Sequence, residues 1–245
     1  MRRKRLLFWT GIGFLVVGGG TAVLLVLLFH EPAFYGRSHV APGKERTDVS
    51  RQTFIRLGEL ADHFKDEGLF GKKKSWIHSF SAEQINSCLE EDLGHGELAE
   101  SLARRGMSAP RLAIDSDRLR LAFRYGNDWW STVVSLHFRL WLVPNQINVV
   151  GLEILAQRAG ALPISAQFFL DQIVELARAK NIEVTLYRHN GNPVALLRFQ
   201  SDRMRPTAQL RRLEMRPGMI TVGGAPLEVI QQDLSAAAGQ SLRIE

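Results

Sequence analysis

The chain has 245 residues, 45% of them hydrophobic and 23% charged, with a net charge of +6 at pH 7. Its single cysteine, Cys88, excludes an intrachain disulfide and a cysteine-rich zinc site, so an exported domain would have to be held by packing alone. The charge is uneven: +4 over residues 1–30, −4 over 31–103, +8 over 104–216 and −2 over 217–245. The basic excess of the second half is almost all arginine. Its expected counterparts are anionic lipid headgroups or the acidic segment of the same chain, with no nucleic acid.

Met1-Arg2-Arg3-Lys4-Arg5 is followed by 24 residues without a charge, Leu6 to Phe29. At about 1.5 Å per residue a helix over this run spans roughly 36 Å, enough for a hydrocarbon core of about 30 Å. The basic flank predicts a cytoplasmic N-terminus and an extracytoplasmic remainder, hence a single-pass protein of the inner (cytoplasmic) membrane. The alternative is a cleaved signal peptide, but those have shorter apolar regions ending in an A-x-A-like site, and none follows here. Gly18 and Ala22 have the spacing of close helix pairs. No N-x-[ST] acceptor occurs, which suits a bacterial envelope.

Residues 31–74 read as a linker with an amphipathic helix. Pro32, Gly36, Pro42 and Gly43 break the first part. From Asp48, a suitable N-cap, Phe54, Leu57, Ala61 and Phe64 recur at helical spacing. The domain proper is expected over 75–223. Ser75 to Phe80 reads as a strand, and Ser81-Ala82-Glu83-Gln84 as a capping box opening a helix. A short helix is expected over Glu97–Arg105.

From Pro110 the period changes to two. Leu112 and Ile114, then Leu119, Leu121 and Phe123, alternate with polar residues, and the run Trp129–Val143 does so over fifteen residues. One face of that run is Trp130, Thr132, Val134, Leu136, Phe138, Leu140 and Leu142. The other, with Ser135, His137 and Arg139, is only partly apolar and is expected to meet water or headgroups. Val150, Leu152, Ile154 and Ala156 form the next strand of an antiparallel meander. A helix follows from Ser165 to about Lys180. Further strands flank Asn190-Gly191, a type I′ hairpin signal, and Pro217-Gly218. Residues 224–245 form a tail or a short helix.

Chemistry is not evident. None of the seven histidines has HxxxH or HExxH spacing, no Walker-type loop or G-x-S-x-G elbow occurs, and Asp115 and Asp117 sit at a turn. The expectation is a non-enzymatic chain with no cofactor and no metal. The aromatic residues suggest either a core with its rim or an apolar groove for acyl chains with arginines at its mouth.

The order of these elements resembles the YpmS-like and LmeA-like bacterial membrane-anchored envelope proteins. The likeness lies in the N-terminal membrane helix, the stretch Phe80-Ser81-Ala82-Glu83-Gln84-Ile85-Asn86 opening a helix, the alternating strands and the Leu162-Pro163 step before a helix. It covers residues 76–223 and implies a lipid-binding-like α+β domain, a curved antiparallel meander packed on or around a helix. It brings no catalytic residues. The binding wall is then expected from Trp130, Val134, Leu136, Phe138 and Leu140, with Phe168 and Phe169 opposite and Arg118, Arg120, Arg124 and Arg139 contacting headgroups. The alternative function is an envelope protein-interaction or assembly scaffold with a solid core, binding an envelope protein partner.

Overall fold

A computed structural model describes residues 17–63, 75–95, 97–127, 129–165, 167–179, 182–199 and 208–226. The chain is α+β. Helix α1 (17–28) carries the apolar run, and its side chains from 17 to 27 are exposed. Val17–Arg37 is the one helical stretch among the described residues long and apolar enough to cross a membrane, although the helix is interrupted at 29–32. An unburied apolar helix of this kind is costly in water and suits a membrane anchor or a signal sequence.

After α2 (Ala33–Arg37) and α3 (Lys44–Asp62) come β1 (Trp76–Ser81), α4 (Ala82–His95) and α5 (Glu97–Arg104). The strands β2 (Met107–Ile114), β3 (Leu119–Gly126), β4 (Ser131–Leu142) and β5 (Val149–Ala159) follow in sequence order as antiparallel neighbours. The two-residue β6 (Leu162–Pro163) and α6 (Gln167–Ala179) lead to the β7–β8 hairpin (Glu183–His189, Asn192–Arg198). There β8 pairs with β5, so the large sheet runs β2-β3-β4-β5-β8-β7. The last strands, β9 (Ala208–Arg216) and β10 (Met219–Pro226), return to β1 as a separate sheet of order β1-β10-β9.

Several local signals act as the sequence suggests. Ser81 and Gln84 exchange side-chain-to-backbone hydrogen bonds at 2.9 and 3.1 Å, a capping box at the start of α4. Asn190 and Gly191 both have positive φ, +50° and +83°, as a type I′ turn requires. The long strand is β4, at 12 residues, because the Trp129–Trp130 pair belongs to the preceding turn.

The N-terminal segments depart from the expected pattern. The stretch read as a linker holds α2, whose Phe34 and Tyr35 are buried on the sheet with Ala122 and Val133. Helix α3 starts at Lys44, not Asp48, and its buried residues are Ser50 and Thr53. Small side chains allow close approach to α4, where the Cys88 thiol donates to the Ser50 carbonyl at 3.4 Å. Phe54 and Leu57 instead face outward with Ile55, and Phe64 lies outside the described residues.

The main core lies on one face of the large sheet. Val134, Leu136 and Phe138 of β4 are 4%, 3% and 8% exposed and pack with Met107, Phe123, Ile154, Phe169 and Leu170. Phe123 meets Phe169 edge-on, with ring centroids 6.0 Å apart. Val134, Leu136, Phe138 and Phe169 belong to the expected lipid wall, and what they touch here is protein.

Candidate functional site: an arginine-lined cleft at the end of the apolar helix

The opposite face of the sheet is built by register. In the β3–β4 ladder His137 stands across from Arg120, and Ser135 from Ala122; in β4–β5, Ser135 stands across from Arg158. Opposed residues share a face, so Arg120, Ser135, His137 and Arg158 form one patch. A bulge between His137 and Phe138 makes this arrangement compatible with the core. The pairing steps from His137–Ala156 to Phe138–Ile154, and this returns Ile154 to the apolar face while Ala156 and Arg158 stay on the polar one.

Helix α2 and the segment before it roof the patch. Phe34 lies beneath the Arg120 guanidinium (4.7 Å to the ring centroid) and edge-on to His137 (6.3 Å). Tyr35 lies beneath Arg111 at 4.3 Å, and its hydroxyl donates to the Ala109 carbonyl at 2.8 Å. Arg111 in turn donates to the Tyr35 carbonyl at 2.9 Å. Cation–π contacts of this kind contribute about 0.5–2 kcal/mol each, and they hold the roof down.

Between roof and sheet lies a cleft of about 270 Å³ lined by His30, Phe34, Arg37, Arg120, Ser135, His137, Arg158 and the Gly160–Ala161 turn, together with Pro32 and Ala33. Three arginines and two histidines line it, and no carboxylate does. Arg120 is held at 2.7 Å by Asp115, outside the lining, yet its buried Nε has no hydrogen-bond partner. Arg37 and Arg158 are exposed and join none of the ion pairs among the described residues. Burial, then the charges of Arg120, Arg158 and Arg118, hold the His137 imidazole below its ordinary range, with Asp115 opposing them. A cleft with two arginines outside any ion pair among the described residues and a spare buried donor is chemically suited to a phosphate or another oxyanion.

The apolar helix α1 ends at the same place. The Leu27 carbonyl accepts a hydrogen bond from the Ala161 amide at 2.7 Å, and the Leu28 carbonyl accepts from the Thr132 hydroxyl. Gly160, at φ +59°, sits so close to these carbonyls that a Cβ would overlap them. A second cleft of about 400 Å³ lies between the β4–β5 loop and β9, lined by Leu142, Asn145, Gln209 and Arg211 among others. Its single arginine offers no comparable concentration of charge.

The residues read from sequence as site candidates fall in different places. Val134, Leu136, Phe138 and Phe169 come together, but as packed core. Leu140 is only partly buried, and Trp130 is at the exposed β3–β4 turn. The Phe168 side chain lies outside what is described. Of the arginines, only Arg120 lines the cleft; Arg118 pairs with Asp117, Arg124 with Glu31 and Arg139 with the buried Glu153. Of these pairs Arg124–Glu31, and with it Arg111–Glu90, join the basic segment of the chain to its acidic one. His30, Arg37 and Arg158 are contributors that strand and helix periodicity does not single out. No family model matches the chain, and no curated protein or solved structure is found to be similar to it.

Proposed function

We propose that the chain is a single-pass membrane protein whose extracytoplasmic domain binds the phosphate of an anionic lipid headgroup, without chemistry. The observation that carries this reading is the cleft lined by Arg37, Arg120, Arg158, His30 and His137 beside the last turn of the apolar helix. Phosphate takes bidentate hydrogen bonds from guanidinium groups, and a site at the membrane surface meets phosphate as headgroups. In this reading the lipid-facing surface is the arginine face of the sheet. The apolar face, packed with Phe169 and Leu170 of α6, serves as core, and acyl chains stay in the bilayer. The basic N-terminal tip supports a domain outside the cytoplasm.

The full chain, reconstituted in nanodiscs of mixed phosphatidylglycerol and phosphatidylcholine, tests this by native mass spectrometry of the lipids it retains. Phosphatidylglycerol should be retained selectively. Arg158→Ala and Arg37→Ala should each weaken retention about tenfold, since a hydrogen bond to a charged group contributes about 1.5–3 kcal/mol. The exposed apolar row Phe54, Ile55 and Leu57 on α3 favours a second reading, an assembly scaffold for an envelope protein. That reading predicts retention indifferent to headgroup and to both arginines.

A further inference from the structure

The junction between α1 and the sheet also fixes where the β3–β4 turn must lie. The last carbonyls of α1 are hydrogen-bonded to Thr132 and Ala161. Trp130 and Trp129 precede Thr132 by two and three residues, so at about 3.3 Å per residue they lie within roughly 10 Å of Thr132, which is bonded to the helix end. The uncharged run stops at Phe29, with His30 and Glu31 next, so a membrane-spanning α1 ends in the headgroup layer.

The turn is built for such a place. Trp129 is 95% exposed and Trp130 46%, with Tyr125 edge-on to Trp130 at 6.4 Å. The amides of both tryptophans donate to the Asn127 side-chain carbonyl, at 3.0 and 3.2 Å, and the Asn127 amide donates to the Trp130 carbonyl at 2.9 Å. The turn can therefore leave water without stranding these backbone donors, while both indoles project from it. Ile164, beyond the Ala161 contact, is exposed at 37%, and Arg104 is exposed near Gly106, whose carbonyl accepts from the Gly126 amide at 2.9 Å. Exposed tryptophans beside a tyrosine are side chains that gather at a membrane–water interface, here next to the acidic Asp128 in the sequence.

We infer that the Trp129–Trp130 turn is a second membrane attachment, its indoles lodged among the headgroups of the bilayer that holds α1. The inference rests on α1 being a membrane helix. Two attachments, one helical and one interfacial, fix the tilt of the domain and keep the arginine cleft turned toward lipid.

Spin labels on the full chain in liposomes, at Trp129→Cys, Ser116→Cys and Val23→Cys in a Cys88→Ala background, test it by power saturation with oxygen and a water-soluble nickel chelate. Trp129 is almost fully exposed, so its replacement removes little packing, and Ser116 is an exposed position in the turn at the opposite end of β3. The Trp129 label should show an oxygen-to-nickel accessibility ratio severalfold above that of Ser116 and below that of Val23. A Trp129 label as nickel-accessible as Ser116, with Val23 buried in lipid, overturns the inference and leaves the anchor standing. A Val23 label open to nickel overturns both. A Trp129 label shielded from both reagents marks a protein contact and also overturns the inference.

Discussion

His137 is the residue whose titration reports on the cleft. In the folded chain burial and the charges of Arg120, Arg158 and Arg118 hold its pKa below the ordinary 6.5. In the window below 6.5 the unfolded chain therefore binds more protons than the folded one. The contribution to stability is complete above that value and is lost as pH falls toward the folded pKa. A bound phosphate reverses the local field and favours the imidazolium. Nuclear magnetic resonance of the His137 ring should give a titration midpoint below 6.5 in phosphatidylcholine and a higher one when phosphatidylglycerol is added. A midpoint unmoved by the anionic lipid would place the headgroup elsewhere. His137→Gln should remove the pH-dependent part of lipid retention and leave the arginine-dependent part.

At the scale of elements, α4 does for β2 what another strand would. The Asn86 side chain donates to the Leu112 carbonyl at 2.8 Å and accepts from the Leu112 amide at 2.7 Å, closing a stretch of the sheet edge. Asn86→Ala should cost about 2–3 kcal/mol in denaturant unfolding, because it strands backbone groups beneath a helix. Phe138→Ala should cost about 3–5 kcal/mol, the range for a packed aromatic core residue, without changing which lipids are retained. A small stability change with altered lipid retention would restore the apolar face as the binding wall.

The elements also show what was legible in the sequence. The capping box at Ser81, the Asn190-Gly191 hairpin and the alternation of β3 and β4 are local signals, and the fold uses them. Helix α3 misled because its most hydrophobic residues are not its packed ones; Ser50 and Thr53 are, and no periodicity of apolar residues marks them. Strand β5 hid Arg158 for another reason. The bulge opposite His137–Phe138 reverses its facing, so unbroken alternation assigns Ala156 to the wrong side and leaves no reason to join Arg158 to His137. Helix α2 carries almost no helical signal, being five residues with a glycine among them, and so resembles linker in the sequence. Its place is set by the arginines of β2 and β3 stacked on Phe34 and Tyr35.

For the whole molecule, the junction between helix and sheet is the organising contact. Strand β4 meets the end of α1 at Thr132, carries Ser135 and His137 to the cleft, and presents Val134, Leu136 and Phe138 to the core. Its partly polar face, which the sequence assigns to water or headgroups, is roofed by the segment that follows the apolar helix, and the roof closes a basic cleft; under the proposed function that cleft lies at the bilayer surface. The most direct test of the central claim is photocrosslinking of the full chain in nanodiscs with a phosphatidylglycerol carrying a photoreactive group at its headgroup, followed by mapping of the adducts. Adducts concentrated on residues 30–37, 135–137 and 158, and reduced by Arg158→Ala, are the predicted result. Adducts scattered over the surface, or unchanged by that substitution, would contradict it.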